Sequence, residues 1–314
     1  MKRYVFPVWL LLWAVPAFGQ IDDSIAAIIM LDSDLVVAAK RDFDVRDFIR
    51  VVRQDTVFEQ SFKRLRRVSY HNTNAFRFFA RKRKKVKATY ESEVQQRREG
   101  YCTDLEVISE KTTGNFYTRR GQYRYYTAKM FARLFLRKGR HCVRPDRAGE
   151  QAKKTSSRME KYVAQLKKLI FNPGRPVDIP LIGHKTAIFD EKMLRYYDFK
   201  ILSRPYQDGT ACYVFSARAK PGFPSGKTVI KSLEMWLRKS DYGIIAKKYH
   251  LRNRNLLFWF DVRMDVALTD TPAGTVPARI DYDGAWKVPG SRPEIAAFHL
   301  RFDYPDDGSS AGHE

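Results

Sequence analysis

The 314-residue sequence contains no His-Glu-x-x-His and no Walker-type loop. Those absences remove the short motifs that mark zinc peptidases and phosphate-cradling NTPases. Cysteine is scarce: Cys102, Cys142 and Cys212 are the whole complement, and no Cys/His spacing resembles a zinc site. No cofactor motif is present, so none is expected. Beyond the first twenty residues no run is long and apolar enough to span a bilayer as a helix. Carboxylates are in deficit, with 35 Asp+Glu against 58 Lys+Arg and a formal net charge of +23. Apolar residues are not scarce. At 44% hydrophobic and 14% aromatic the composition is that of a chain with a large core, not a disordered one.

The N-terminus reads as an export signal over residues 1–19. Lys2 and Arg3 give a positive start, residues 5–15 are apolar except Pro7, and Ala17-Phe18-Gly19 offers small residues to a signal peptidase. Cleavage is expected after Gly19, or alternatively after Ala17. The run is too short for a membrane span, and Pro16 and Gly19 end it. An exported, soluble product follows, located in the periplasm or at the outer membrane and cell surface.

The positive charge is uneven. Up to Pro173 there are 37 Lys/Arg against 18 Asp/Glu, and from Gly174 onward 21 against 17. A basic exported protein can meet anionic lipid headgroups, lipopolysaccharide, acidic glycans or DNA, or simply gain solubility. The densest run, Arg81-Lys82-Arg83-Lys84-Lys85, falls between two strand candidates and reads as a solvated hairpin tip, with a nucleic-acid or lipid patch as the alternative. In an oxidising compartment Cys102 and Cys142 are the expected disulfide, although sequence alone does not fix connectivity. Cys212 lies in an alternating strand and reads as a small buried filler.

Helices are expected early in the chain. Residues 45–54 place Phe48, Ile49 and Val52 on one face. Asp55 is a good N-cap for a second helix, in which Phe58, Phe62 and Leu65 fall at i, i+4 and i+7. That helix ends in Lys63-Arg64-Leu65-Arg66-Arg67. A short helix over 128–136, capped by Thr127, carries Met130, Phe131, Leu134 and Phe135. Residues 158–171 have the widest apolar face, opposed by Lys161, Lys167 and Lys168, and stop at Asn172-Pro173-Gly174. Residues 144–157 read as a mobile loop, and the tail from Pro305 as loose.

Elsewhere the period is two. From Phe258 to Leu268 the apolar Phe258, Phe260, Val262, Met264, Val266 and Leu268 alternate with Trp259, Asp261, Arg263, Asp265 and Ala267, which makes one dry and one wet strand face. Strands of similar length are expected over 68–80, 86–98, 102–109, 196–203, 211–220, 228–239, 244–252, 276–286 and 296–304. Short turns between neighbours imply antiparallel pairing. The aromatic cluster of Phe116, Tyr117, Tyr123, Tyr125 and Tyr126 could in principle stack nucleic-acid bases, but aromatics are ordinary strand residues, and nucleic acid is not the expected partner. The fold class is therefore α+β: over residues 20–304, a wide, curled antiparallel meander whose apolar face is covered by a few helices.

The segment Leu233-Glu234-Met235-Trp236-Leu237-Arg238-Lys239, the turn Ser240-Asp241-Tyr242-Gly243 and the strand Ile244-Ile245-Ala246-Lys247-Lys248-Tyr249-His250 resemble the sheet of the periplasmic lipoprotein carriers LolA and LolB and of the related regulator RseB. The likeness spans roughly residues 228–268. It implies a half-barrel with a concave face lidded by helices. Phe171-Asn172-Pro173-Gly174 and Thr112-Thr113-Gly114 also resemble features of large exported proteins of Gram-negative bacteria, a likeness that brings no activity. No functional residue carries over.

A curled sheet under helices makes a concave apolar cavity suited to a lipid or lipoprotein acyl chain. Its wall would be Trp236 or Met235, with Phe258, Phe260, Met264, Tyr282 and Phe298, and basic residues at its mouth would suit an anionic headgroup. The same residues would look identical as packed core. The alternative function is an interaction or scaffold protein at the outer membrane, using its basic surface and strand edges. Catalysis has the least support. Asp261 and Asp265 share a strand face about 13 Å apart, too far for a glycosidase pair, and nothing in their spacing brings Cys212 and His250 together.

Overall fold

Alternation written into the strands becomes one sheet. The computed structural model describes residues 28–33, 44–80, 83, 85–142, 165, 168–170, 172–179, 182–224, 226–255, 258–287 and 292–305. The expected export signal, the loop expected over 144–157 and the tail expected beyond 305 lie outside the described residues, as does most of the helix expected over 158–171, of which residues 165 and 168–170 are described and helical. Among the described residues there are twelve strands: β1 (Met30–Leu31), β2 (Tyr70–Phe79), β3 (Val86–Glu99), β4 (Cys102–Gly114), β5 (Gly139–Cys142), β6 (Tyr197–Pro205), β7 (Ala211–Ala219), β8 (Ile230–Arg238), β9 (Ile244–Arg254), β10 (Trp259–Thr271), β11 (Gly274–Lys287) and β12 (Glu294–Asp303). The helices are α1 (Val45–Gln54), α2 (Val57–Arg64), α3 (Tyr126–Phe135) and the single turn α4 (Glu191–Leu194).

The sheet order is β1-β6-β7-β8-β9-β10-β11-β12-β2-β3-β4-β5. All pairings are antiparallel except the two-residue β1 on β6. Two sequential meanders, β6 to β12 and β2 to β5, are thus joined side by side through β12 and β2, where Phe298 pairs with Phe76 and Leu300 with Asn74. The fold class is α+β with a wide, mostly antiparallel sheet and few helices. The expected half-barrel differs in one respect: the sheet is neither closed nor strongly curled, and β1 and β5 remain as its two ends. Helices, and not the sheet itself, cover the apolar face, so closure is not needed to bury it.

Helices α1, α2 and α3 each dock by an aromatic. On α1, Phe48 meets Tyr213 edge-on at 6.1 Å. On α2, Phe58 meets Tyr249 at 6.5 Å. On α3, Phe131 meets Phe76 at 4.3 Å. Asp55 caps α2 as expected, accepting the Val57 amide at 2.7 Å. The cap of α3 is not the expected one. Thr127 lies inside the helix, and the free amides of Tyr126 and Thr127 donate instead to the Glu294 carboxylate on β12. A tertiary contact here takes the place of a local cap. No helix among the described residues is long and apolar enough to cross a membrane.

Candidate ligand-binding cleft

A cavity of about 480 Å³ opens on the helix side of the molecule. One wall is α2 with the turn that follows it: Glu59, Phe62, Lys63 and Arg66 stand at i, i+3, i+4 and i+7, one stripe of the helix surface. The second wall is the end of α3, with Leu134 and Phe135. The third is the segment that leaves the helix at 168–170, with Lys168, Asn172, Arg175, Pro176 and Val177. The cations of the first wall fall at and beyond the C-terminus of α2, where a helix favours positive charge.

The floor is apolar, made by Phe62, Leu134, Phe135, Pro176 and Val177. Among the described residues Glu59 is the one carboxylate in the lining. It is already held: Lys63 Nζ lies 2.7 Å away and Asn172 Nδ2 donates to it at 3.4 Å. The Lys63 hydrogen bond keeps its carboxyl below the usual range. Arg175 is anchored by its Nη2, which donates to the Asp55 carbonyl at 2.6 Å. Desolvation, with Arg137 nearby, pushes the Arg66 guanidinium below its ordinary value. Cations are therefore crowded at a partly dry rim, the arrangement that attracts an anion. Among the described residues the lining holds no Cys, Ser, Thr or His.

The residues expected to wall a sheet-face cavity lie elsewhere. Met235, Phe260, Met264, Tyr282 and Phe298 all point to the helix side of the sheet and are between 2% and 5% exposed. Tyr282 stacks on Phe298 with centroids 4.5 Å apart, and the Tyr249 hydroxyl donates to Met264 Sδ at 3.3 Å. Phe258 is half-buried at the entry to β10, stacked on Phe260. Between the two candidates on β8, the structure turns Met235 inward and Trp236 outward, where it meets Tyr206 at 5.3 Å. None of the seven lines the 480 Å³ cleft.

Of the basic run, Arg81, Lys82 and Lys84 lie outside the described residues. Arg83 pairs with Asp283 and sits over the Phe79 ring, while Lys85 is exposed next to β3. Cys102 and Cys142 are joined by a disulfide, at directly paired positions of β4 and β5. Cys212 is free and buried. His250 is engaged by Asp261 at 2.7 Å, on the outer face of the sheet. Phe116 meets Tyr117 and Tyr123 edge-on, Tyr117 and Tyr123 lie tilted at 5.3 Å, and Phe116 stacks on Tyr90, so these rings serve packing.

The cleft is visible in the sequence only as separate pieces. Phe62 belongs to the apolar stripe of α2, the basic run 63–67 ends that helix, and Lys168 precedes the Asn172-Pro173-Gly174 stop. What brings them together is the docking of three segments distant in sequence.

No protein-family model matches the chain, and no curated protein matches it. Solved structures do. A DUF1329 family protein from Desulfovibrio piger matches at 10% identity with a TM-score of 0.25, over 81% of this chain and 92% of that one. A LolA superfamily protein from Nitrosomonas europaea matches at 10% identity and a TM-score of 0.23, over 80% and 93%. An outer membrane lipoprotein-sorting protein domain from Vibrio parahaemolyticus matches at 10% identity and 0.24, over 82% and 93%. At such scores the likeness carries no argument about ligand or mechanism, which must come from the side chains of this chain. The chain is similar in structure, at low sequence identity, to LolA superfamily, lipoprotein-sorting and DUF1329 proteins.

Proposed function

We propose that this protein is an exported, non-enzymatic binder of an amphiphile with an anionic headgroup, held in the cleft between α2, α3 and residues 168–177. One observation carries the reading: Lys63, Arg66, Lys168 and Arg175 surround an apolar floor whose lone carboxylate, Glu59, is already satisfied. The volume, about 480 Å³, lies in the lower part of the roughly 300–1,000 Å³ span of small-molecule sites. That suits a single chain better than several. Each buried methylene contributes about 0.8 kcal/mol before the costs of association, so the floor supplies affinity and the rim supplies selectivity. The packed sheet face of Met235, Phe260, Met264, Tyr282 and Phe298 is the rigid wall behind this layer. The Cys102–Cys142 bond supports an extracytoplasmic location.

The test is calorimetric titration with dodecyl phosphate below its micellar concentration, with dodecyl maltoside as the neutral control. Dodecyl phosphate is expected to bind at 1:1 and the control at least tenfold more weakly. Lys168→Gln and Lys63→Gln should each weaken dodecyl phosphate by about fivefold. Equal affinity for the two amphiphiles, or no binding of either, would refute the proposal.

A second reading, strand addition by a partner, is favoured by one feature. β5 covers only Cys102 to Leu105 of β4, so the edge from Glu106 to Gly114 has no strand beside it among the described residues, and Ile108 on it is 55% exposed. Ultracentrifugation of the wild type and Ile108→Lys decides it for self-association: two identical monomers would dismiss it.

A further inference from the structure

A second, smaller cavity of about 160 Å³ adjoins the cleft, and Arg66 lines both. Its other polar walls are Arg67, Arg98, Thr103 and His141, with Tyr101 at the side. Among the described residues no carboxylate lines it. Glu99, next to Arg98 in the chain, pairs with Arg140 at 2.9 Å. Among the described residues Arg66 and Arg67 have no carboxylate partner.

The pocket is also built to hold its shape. The Cys102–Cys142 bond ties the start of β4 to the end of β5, and the pairing of those strands sets His141 opposite Thr103. The Arg98 amide donates to Ser69 Oγ at 2.9 Å, and its side chain donates from Nε to the Gly100 carbonyl at 3.1 Å, leaving the terminal nitrogens of the guanidinium for another acceptor. His141 Nε2 lies 3.2 Å from the Lys138 carbonyl. Three arginines line a space of about 160 Å³, adequate for a tetrahedral oxyanion. Arginine forks suit that geometry, since they present paired N–H donors to phosphate oxygens.

We infer that this pocket is a second anion subsite, and that the ligand headgroup carries two phosphates, one at the rim of the main cleft and one between Arg67 and Arg98, with Arg66 shared between them. The inference rests on the proposed binding of an anionic amphiphile in the main cleft and adds the class of its headgroup. A bilayer of anionic lipids would meet the same cations, but it would engage them as a surface and show no preference for a diphosphate on one molecule.

The experiment compares dodecyl phosphate with dodecyl diphosphate on the full-length protein with its disulfide intact. The diphosphate is expected to bind at least tenfold tighter. Arg67→Gln and Arg98→Gln are each expected to remove most of that advantage while leaving dodecyl phosphate within twofold of the wild type. Arg98 also supports the Gly100 turn, so Arg67→Gln, which breaks no contact of that kind, guards against a folding artefact. If dodecyl phosphate binds and the diphosphate gains nothing, or if its gain survives both substitutions, the second subsite is refuted and the cleft reading stands. If neither amphiphile binds, the cleft reading falls. If anionic vesicles bind as tightly per phosphate as dodecyl diphosphate, the cations serve a surface and the subsite is again refuted.

Discussion

Lys247 Nζ on β9 lies 2.6 Å from Asp55 Oδ2 at the junction of α1 and α2, and both side chains are almost fully enclosed, at 3% and 2% exposure. The ammonium also sits 4.4 Å from the centre of the Phe58 ring. Burial pushes the Lys247 ammonium below its ordinary value, and the Asp55 carboxylate opposes that shift. The pair fixes where the helix layer sits on the sheet, because Asp55 also caps α2 and its carbonyl accepts from Arg175 at the cleft. Removing one partner strands a buried charge, at a cost of about 3–5 kcal/mol. Lys247→Met and Asp55→Asn are each expected to lose that much in urea unfolding. The double variant should lose clearly less than the sum, since the asparagine side chain keeps an oxygen for the Val57 amide and no buried charge is left alone. Strict additivity would show that the two charges do not depend on each other.

The pair also marks where the sequence stops being legible. On β10 the alternation of Phe260, Val262, Met264, Val266 and Leu268 with polar neighbours states the strand and its dry face, and all five are buried. On β9 the period puts Lys247 on the core face with Tyr249 and Leu251, against its charge, and what permits that is a partner 192 residues away. Likewise Asn72 on β2 donates to the Arg301 carbonyl on β12, a junction spanning 229 residues that no local period signals. The cleft belongs to the same class: every lining residue has a plain local role, and only the docking of α2, α3 and residues 168–177 makes them one site.

On the outer face of the sheet, Asp281 gathers three basic side chains. His299 Nδ1 is 2.8 Å away, Arg301 Nη1 donates at 2.9 Å and Arg279 Nε lies at 3.2 Å. Asp265 stands directly opposite it on β10. Burial alone would raise the Asp281 carboxyl, but the hydrogen bonds from His299 and Arg301 outweigh it and leave it below its ordinary value of 3.8. A depressed carboxyl stabilises the fold above its unfolded value and loses that contribution as pH falls through the folded one. Asp281→Asn is therefore expected to be less stable than the wild type at pH 6 by about 1 kcal/mol, reduced from a buried-pair figure because solvent reaches the site. The two proteins should converge as pH drops below about 3. Urea melts at pH 6, 4 and 3 check this, and a gap that stays constant across the three would refute the assignment.

Gly284 on β11 underlies the Tyr282 ring. A β carbon at Gly284 would stand 2.2 Å from the Tyr282 hydroxyl oxygen and 2.4 Å from Cζ, so the ring lies flat along the strand where any side chain would be. That posture lets Tyr282 stack on Phe298, with ring planes 5° apart, and puts both beneath α3, whose Phe131 meets Phe298 at 6.2 Å. Gly284→Ala must lift the ring off the sheet and break the stack, an overpacking change of about 1–3 kcal/mol. Thermal unfolding should show this loss in the wild-type background. In a Tyr282→Leu background, where no ring needs the space, the same substitution should be nearly neutral, because alanine is better tolerated than glycine in a strand once the clash is gone. Equal losses in both backgrounds would mean that backbone freedom at 284, and not the ring, is what the glycine provides.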